Sequence, residues 1–192
     1  MRIIKTQIPD VVAIQTAIYE DERGHFSETF SEKWFNENVR PIKWVQENES
    51  KSIWGVVRGL HFQTGEYAQS KLVRCVHGFV LDVAVDIRKG SPTFGQWVSV
   101  ILSPGNRTQL FIPRGFAHGF ISLSSDTILQ YKVDNYDNKE SEGSVYWNDP
   151  DINIPWGYPT DKVIVSSKDN VAPLLKDCDK LFDYNIDYYG EL

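Results

Sequence analysis

The chain has 192 residues, of which 41% are hydrophobic and 24% charged. This composition suits a globular domain with a sizeable core and argues against disorder. The net charge of -6 argues against a broad nucleic-acid surface because such surfaces are basic, although a few converging Arg and Lys side chains would still bind a small anionic ligand.

The number of cysteines and the length of the apolar runs indicate the cellular location of the protein. Two cysteines are too few for a disulfide framework and favour reduced thiols. The N-terminus lacks the apolar stretch of a signal peptide, and no run approaches the length of a membrane span. The sequence predicts one cytoplasmic domain over residues 1–192, without a nucleic-acid or membrane partner.

The predicted elements begin with a helix over residues 32–39. Ser31 can cap it, Glu32 suits its first turn, and Pro41 lies past its end. The later runs are short and rich in β-branched and aromatic residues, and they cover residues 79–87, 97–102, 109–112 and 128–133. Many short strands with frequent turns predict an all-β sandwich or barrel of the jelly-roll kind with a few short helices. The mouth of such a barrel is a natural ligand site.

The run at residues 58–63 is the first segment with candidate chemistry. In a regular strand, Arg58 and Leu60 face one way, and Gly59 and His61 face the other. A surface arginine and a hydrogen-bonded core histidine would explain the pattern as well as a catalytic His61 would. Local sequence alone leaves both interpretations open.

Three further polar residues have two interpretations each. Lys71 suits a solvated edge strand, which the local sequence favours, or a cation that stabilises negative charge on a reacting oxygen. Tyr131 suits a core tyrosine with a bonded hydroxyl or a general acid. Asp169 suits a turn cap or a carboxylate that orients a catalytic histidine.

A Pro-x-Gly-x-x-His run at residues 113–118 resembles the second sequence motif of the cupin superfamily. In metal-binding cupins the first motif supplies a closely spaced His pair and a carboxylate. Here His61 has no neighbouring second histidine, and His25 and His77 lack ligand spacing. A metal site is therefore disfavoured, and a metal-free branch of the superfamily is favoured.

The ordered set of motifs from about residue 4 to residue 175 resembles the dTDP-4-dehydrorhamnose 3,5-epimerase family. The matching runs are DERG, VQENESKS, VVRGLHFQ, QSKLVRCVHG, LDVAVDIRKGSPTFGQW, FIPRGFAHGF, QYKVDNY, SEGSVYWNDPDI and SSKDN. Their order and spacing make the match specific. The resemblance implies a cupin-like jelly-roll barrel, usually a homodimer, that needs no cofactor. It leaves residues 177–192 as a C-terminal extension without an assigned role.

The resemblance also implies a reaction and its catalytic residues. The family inverts carbons 3 and 5 of dTDP-4-dehydro-6-deoxy-D-glucose to give dTDP-4-dehydro-L-rhamnose, in dTDP-L-rhamnose biosynthesis for cell-surface polysaccharide. By this resemblance His61 is the base and Asp169 its partner, Lys71 stabilises the enolate, and Tyr131 returns the proton.

Binding positions follow from the same resemblance. Arg23 and Arg58 suit the diphosphate, because a guanidinium binds phosphate in a fork. Tyr136 would stack on the thymine, and Tyr19 would reach the base from the partner subunit. The other positions that match the family's substrate-binding residues are Glu28, Gln46, Glu47, Asn48, His118, Glu142 and Lys168.

Other functions compete with this interpretation. The nearest is an epimerase that inverts only one carbon or acts on a related nucleotide 4-keto sugar, which would share the same base and partner. A non-catalytic nucleotide-sugar-binding module would need the arginines and aromatics but no base, acid and enolate cation. A metal-dependent cupin would need the second histidine that the first motif lacks.

Overall fold

The computed structural model describes residues 1–190, which are predominantly β-structure with a few short helices. The strands are β1 (Arg2–Lys5), β2 (Val12–Gln15), β3 (Tyr19–Asp21), β4 (Gly24–Phe26), β5 (Gln46–Ser52), β6 (Val56–Gln63), β7 (Lys71–His77), β8 (Val80–Asp86), β9 (Arg88–Lys89), β10 (Trp97–Leu102), β11 (Thr108–Ile112), β12 (Phe116–Ser122), β13 (Thr127–Val133), β14 (Glu142–Ser144), β15 (Ile164–Val165) and β16 (Phe182–Asp183). The helices are α1 (Glu32–Asn38), α2 (Ser167–Asn170) and 3-10 turns at Gly65–Tyr67, Thr160–Lys162 and Leu175–Asp177. The predicted all-β class is confirmed. No helix among the described residues is both long enough and apolar enough to cross a membrane.

Two large sheets organise these strands. The first sheet has the antiparallel order β1-β2-β11-β7-β13-β5. The second sheet has the antiparallel order β10-β8-β12-β6-β14, and β15 pairs parallel to β6. Strands that are distant in sequence are neighbours in both sheets, as in the predicted jelly roll.

Apolar clusters fill the space between the sheets and cover both outer faces. The inner cluster joins Val73, Leu110 and Leu129 of the first sheet to Ala84 and Phe120 of the second. A second cluster packs the C-terminal third of the chain on the outer face of the second sheet. A third packs α1 and its flanking segments on the first sheet. This layering follows from strand alternation, which points successive side chains to opposite faces.

Helix α1 begins and ends close to where the sequence predicts. The Ser31 side chain accepts a hydrogen bond from the backbone N–H of Trp34, and the helix ends at Asn38. Phe35 is 1% exposed, and its ring lies 5.3 Å from each of the Trp44 and Phe111 rings. The helix thereby fixes the segment that leads into β5.

Strand β5 is one of the elements that hydrophobic patterning misses. Its sequence, QENESKS, contains no apolar residue. Its place is set by pairing with β13 along its full length, with Asn48 directly opposite Tyr131. Alternate residues of β5 are partly buried, so its amide side chains face the interior of the molecule.

Strand β6 departs from the regular alternation expected at residues 58–61. His61 lies opposite His118 and Arg58 lies opposite Phe120, so β6 carries an extra residue and forms a β-bulge. Leu60 is fully buried in the core, while Arg58 and His61 line the same cleft. The expectation that Arg58 and Leu60 share a face is therefore wrong, because the bulge shifts the strand's faces.

Candidate active site

Two adjoining clefts of about 480 Å³ and about 520 Å³ share the side chains of His61, Lys71, Tyr131 and Lys168. His61 comes from β6 of the second sheet, whereas Lys71 and Tyr131 come from β7 and β13 of the first. Asp169, from α2, lines the same cleft as the other three proposed catalytic residues. The four come from three separate parts of the sequence, at residues 61–71, 131 and 169, and the fold brings them together.

His61 and Asp169 form a direct hydrogen bond. Nε2 of His61 lies 2.6 Å from Oδ1 of Asp169. The backbone amide of Gly59 donates to Oδ2 at 3.3 Å, and the amide of Asp169 donates to Oγ of Ser166 at 3.1 Å. With the proton on Nε2 directed at the carboxylate, Nδ1 of His61 is free to accept a proton.

The environment of Asp169 keeps its carboxyl ionised. Burial alone would raise the pKa, but hydrogen bonding to His61, the charge of His61 and the Gly59 amide outweigh it and hold the pKa below its ordinary value. A buried carboxylate in this position orients the imidazole and stabilises the imidazolium that forms when His61 takes a proton.

Lys71 and Tyr131 lie together on neighbouring strands. The Nζ atom of Lys71 is 5.9 Å from the centre of the Tyr131 ring. Burial lowers the pKa of Lys71 to about 8, and the charge of Asp82 partly offsets that effect. Burial raises the pKa of Tyr131. At neutral pH the site therefore contains an ammonium ion and a protonated phenol.

A second histidine–aspartate pair lies beside the first. Nε2 of His118 is 3.0 Å from Oδ2 of Asp82, and both side chains are buried. Burial lowers the pKa of His118 against the opposing effect of Asp82. Sequence reasoning missed Asp82. A carboxylate inside the apolar run LDVAVD was the available signal, because a buried charge requires a partner.

Comparison with known proteins identifies the family of this chain. The family model for dTDP-4-dehydrorhamnose 3,5-epimerase matches residues 5–177. The chain belongs to this family. The family, the epimerase class and the cupin-like fold predicted from the sequence are confirmed.

Relatives and solved structures of the epimerase family cover almost the whole chain. The epimerase of Salmonella typhimurium is 53% identical over 176 residues, which cover 91% of this chain and 96% of that protein. The epimerase of Methanothermobacter thermautotrophicus is 49% identical, covering 90% and 94%. The Legionella pneumophila enzyme, solved in complex with dTDP-4-keto-L-rhamnose, is 46% identical with a TM-score of 0.92, covering 96% and 99%.

Several of the binding residues expected for this epimerase family line the two clefts. They are Gln46, Asn48, Arg58, His118, Glu142 and Lys168. Lys168 forms an ion pair with Glu142, which lowers the pKa of Glu142. The guanidinium of Arg58 donates to Oγ of Ser52 at 3.1 Å and to the carbonyl of Lys51 at 3.0 Å. Tyr136 is 60% exposed and follows closely after the strand that carries Tyr131.

Other expected binding residues line neither cleft of the described chain. Glu47 forms an ion pair with Lys132 at 3.0 Å and borders a smaller cavity. Arg23 is exposed and paired with Asp21 at 2.6 Å. Tyr19 is 66% exposed on the β3–β4 hairpin, and Glu28 is exposed just after it.

Metal ligands are not grouped in the part of the chain that the structure describes. Across residues 1–190, no three His, Cys, Asp or Glu side chains converge as a set that could hold a metal ion. Cys75 and Cys178 are both buried and free.

Proposed function

We propose that the chain inverts carbons 3 and 5 of dTDP-4-dehydro-6-deoxy-D-glucose to give dTDP-4-dehydro-L-rhamnose, with His61 as base and Tyr131 as acid. The observation that carries the proposal is the convergence of the His61–Asp169 pair, Lys71 and Tyr131 in one cleft. Relatives about half identical to the chain carry this activity in their names. A non-catalytic binder would need no such set of groups.

The reaction follows from the two-sided construction of the cleft. His61 takes a proton from the carbon next to the ketone, and the electron pair moves onto the ketone oxygen as an enolate. The Lys71 ammonium stabilises that oxygen. A proton then returns to carbon from the opposite face, donated at carbon 5 by Tyr131. A positioned acid or base contributes about a hundred- to ten-thousand-fold each.

The positions of the acid and the base support inversion rather than simple exchange. His61 lies on the second sheet and Tyr131 on the first, so a sugar ring between the sheets has one group on each face. The ketone accepts the electron pair, so the proposed reaction needs no organic cofactor.

Local positive charge supports an anionic substrate on an acidic protein. Arg58, Lys71 and Lys168 line one cleft, and we propose that Arg58 binds the diphosphate. Arg23 is proposed to share the diphosphate with Arg58, Tyr136 to stack on the thymine and Tyr19 to reach the base from the partner subunit. Glu28 and Glu47 are proposed as substrate-binding residues without an assigned contact. The single-domain organisation and the cytoplasmic location stay predictions.

Product analysis tests this function. Purified protein is incubated with dTDP-4-dehydro-6-deoxy-D-glucose, and the sugar configuration is followed by NMR. We expect a product inverted at both carbons. A product inverted at carbon 3 or carbon 5 alone would overturn the assignment in favour of a single-carbon epimerase, and unchanged substrate would favour a binding module.

Assembly provides a separate prediction. We propose a homodimer in which the β3–β4 hairpin reaches the partner's site. The Tyr19 and Phe26 rings lie next to each other on this hairpin with centres 6.5 Å apart, and both side chains are about two-thirds exposed. Adjacent exposed apolar groups of this kind favour an interaction surface. Light scattering should give twice the chain mass at working concentration, and a clean monomer would contradict the prediction.

The lowered pKa of Lys71 predicts that kcat/KM declines on the basic side of the pH profile. The ammonium form stabilises the enolate, and its pKa is about 8, so kcat/KM should fall as the pH rises through this value. Tyr131 is not the source of this decline because burial raises its pKa above the ordinary value. In Lys71→Arg the charge persists, so the remaining activity should lose the decline near pH 8. A decline that stays in place in Lys71→Arg would contradict the assignment.

A further inference from the structure

The C-terminal segment, residues 178–190, lies beyond the family match at residues 5–177 and is attached to the back of the active site at three points. At the first, Nζ of Lys180 donates to the backbone carbonyls of Glu140 and Glu142 at 2.6 and 2.8 Å. Glu142 lines the cleft. The segment is therefore fixed to the backbone of β14 directly behind a cleft residue.

The second attachment lies behind His61. Phe182 is 2% exposed, and its ring centre is 6.2 Å from that of Phe62, the residue after His61. Strand β16 pairs with β9, and the Tyr188 ring packs edge-on against Phe182 at 4.7 Å. Burial of these rings supports β6 from the outer face of the second sheet.

The third attachment is Tyr189, whose hydroxyl reaches the start of β7. The hydroxyl oxygen lies 2.7 Å from Oγ of Ser70 and accepts the backbone N–H of Arg114 at 3.0 Å. The guanidinium groups of Arg40 and Arg114 lie over the Tyr189 ring, 4.1 Å and 5.0 Å from its centre. Two cations against the ring and two hydrogen bonds to its hydroxyl fix this side chain.

Ser70 connects Tyr189 to the catalytic strands. It is fully buried and immediately precedes Lys71. Its backbone N–H donates to Oδ1 of Asp134 at 2.6 Å, and Oδ2 of Asp134 accepts from Arg114 at 3.1 Å. Asp134 directly follows β13, the strand that carries Tyr131. A closed hydrogen-bond network thus joins the C-terminal segment to the ends of the strands that carry Lys71 and Tyr131.

We propose that Tyr189 is a positioning residue for Lys71, and that it acts through Ser70 to fix the ammonium where the enolate oxygen forms. The proposal rests on the proposed role of Lys71 in the epimerase reaction. It assigns residues 178–190 a function in catalysis, because small displacements of a charged group away from a reacting atom reduce its effect on the rate.

A double-mutant cycle tests this proposal. Tyr189→Phe removes only the hydroxyl, and Ser70→Ala removes its partner. We expect each variant to lower kcat by about threefold to tenfold, the range for one lost hydrogen bond, with KM nearly unchanged. The double variant should be no slower than either single variant, because both break the same link. Tyr184→Phe, on the same segment and 45% exposed, is the matched control and should have normal kcat.

Each outcome of the double-mutant cycle either supports or overturns the proposed role of Tyr189. Normal kcat in folded Tyr189→Phe would overturn the proposal, and additive losses in the double variant would overturn the route through Ser70. Should Tyr189→Phe fail to fold, Ser70→Ala alone must still lower kcat, and normal kcat there would overturn the proposal. Double inversion by the wild-type protein is measured beside the variants, so a failure of the epimerase function is distinguishable from a failure of the role of Tyr189.

Discussion

Replacing His61 with alanine is expected to slow turnover about a hundred- to ten-thousand-fold, the range for a positioned base. Both inversions should be lost together, since one base is proposed to serve carbons 3 and 5. Lys71 could still polarise the ketone, but no group would accept the proton. The initial rate of product formation by NMR measures the loss.

His61→Ala also leaves Asp169 buried without its histidine, which destabilises the fold. His61→Gln is therefore the sharper variant, because its side-chain amide can still donate to Asp169 but cannot act as a base. His77→Ala is the matched control. The His77 side chain is 61% exposed, and its interaction with Asp126 is weak because the two groups are 3.9 Å apart. Folded His61→Gln with near-normal turnover would refute the assignment of the base.

Replacing Tyr131 with phenylalanine is expected to impair the reaction at carbon 5 much more than the reaction at carbon 3. Proton removal by His61 stays possible, so exchange at carbon 3 should be largely spared. Completed inversion at carbon 5 should fall by about a hundredfold or more, the contribution of a positioned acid. Return of the proton from the wrong face should then dominate at carbon 5. The ratio of the inverted to the retained configuration at that carbon, read by NMR, measures the effect.

Tyr146→Phe is the control for this experiment, because Tyr146 packs on the outer cluster of the second sheet. Inversion of carbon 5 at the wild-type rate in Tyr131→Phe would exclude Tyr131 as the acid. Equal loss of exchange at both carbons would remove the stereochemical role and leave Tyr131 as a group that both steps require.

Sequence patterning predicts helix α1, the strands β8, β10, β11 and β13 and a strand at residues 58–63, but not the path of β6. Strand β10 matches the predicted run at residues 97–102, because β-branched and aromatic residues dominate it. The bulge between residues 58 and 61 depends on pairing with β12, which local sequence does not encode. Strand β5 has no apolar residue and is specified by its partner β13.

Motifs, rather than local chemistry, point to the four proposed catalytic residues. His61 and Asp169 are 108 residues apart, and no spacing rule joins them. Local sequence favours Lys71 as an edge residue, but β7 lies between β11 and β13 in the first sheet, so that interpretation is wrong. Asp82 carries a local signal as a carboxylate inside an apolar run, but its pairing with His118 becomes visible only when the fold places the two side chains next to each other.

Deuterium incorporation at each carbon tests the central claim most directly. Wild-type protein and His61→Gln are incubated separately with dTDP-4-dehydro-6-deoxy-D-glucose in deuterated water, and label at carbons 3 and 5 is read by NMR. We predict label at both carbons with the wild-type protein and at neither with His61→Gln. Label that persists at either carbon in folded His61→Gln would show a second base and contradict the account.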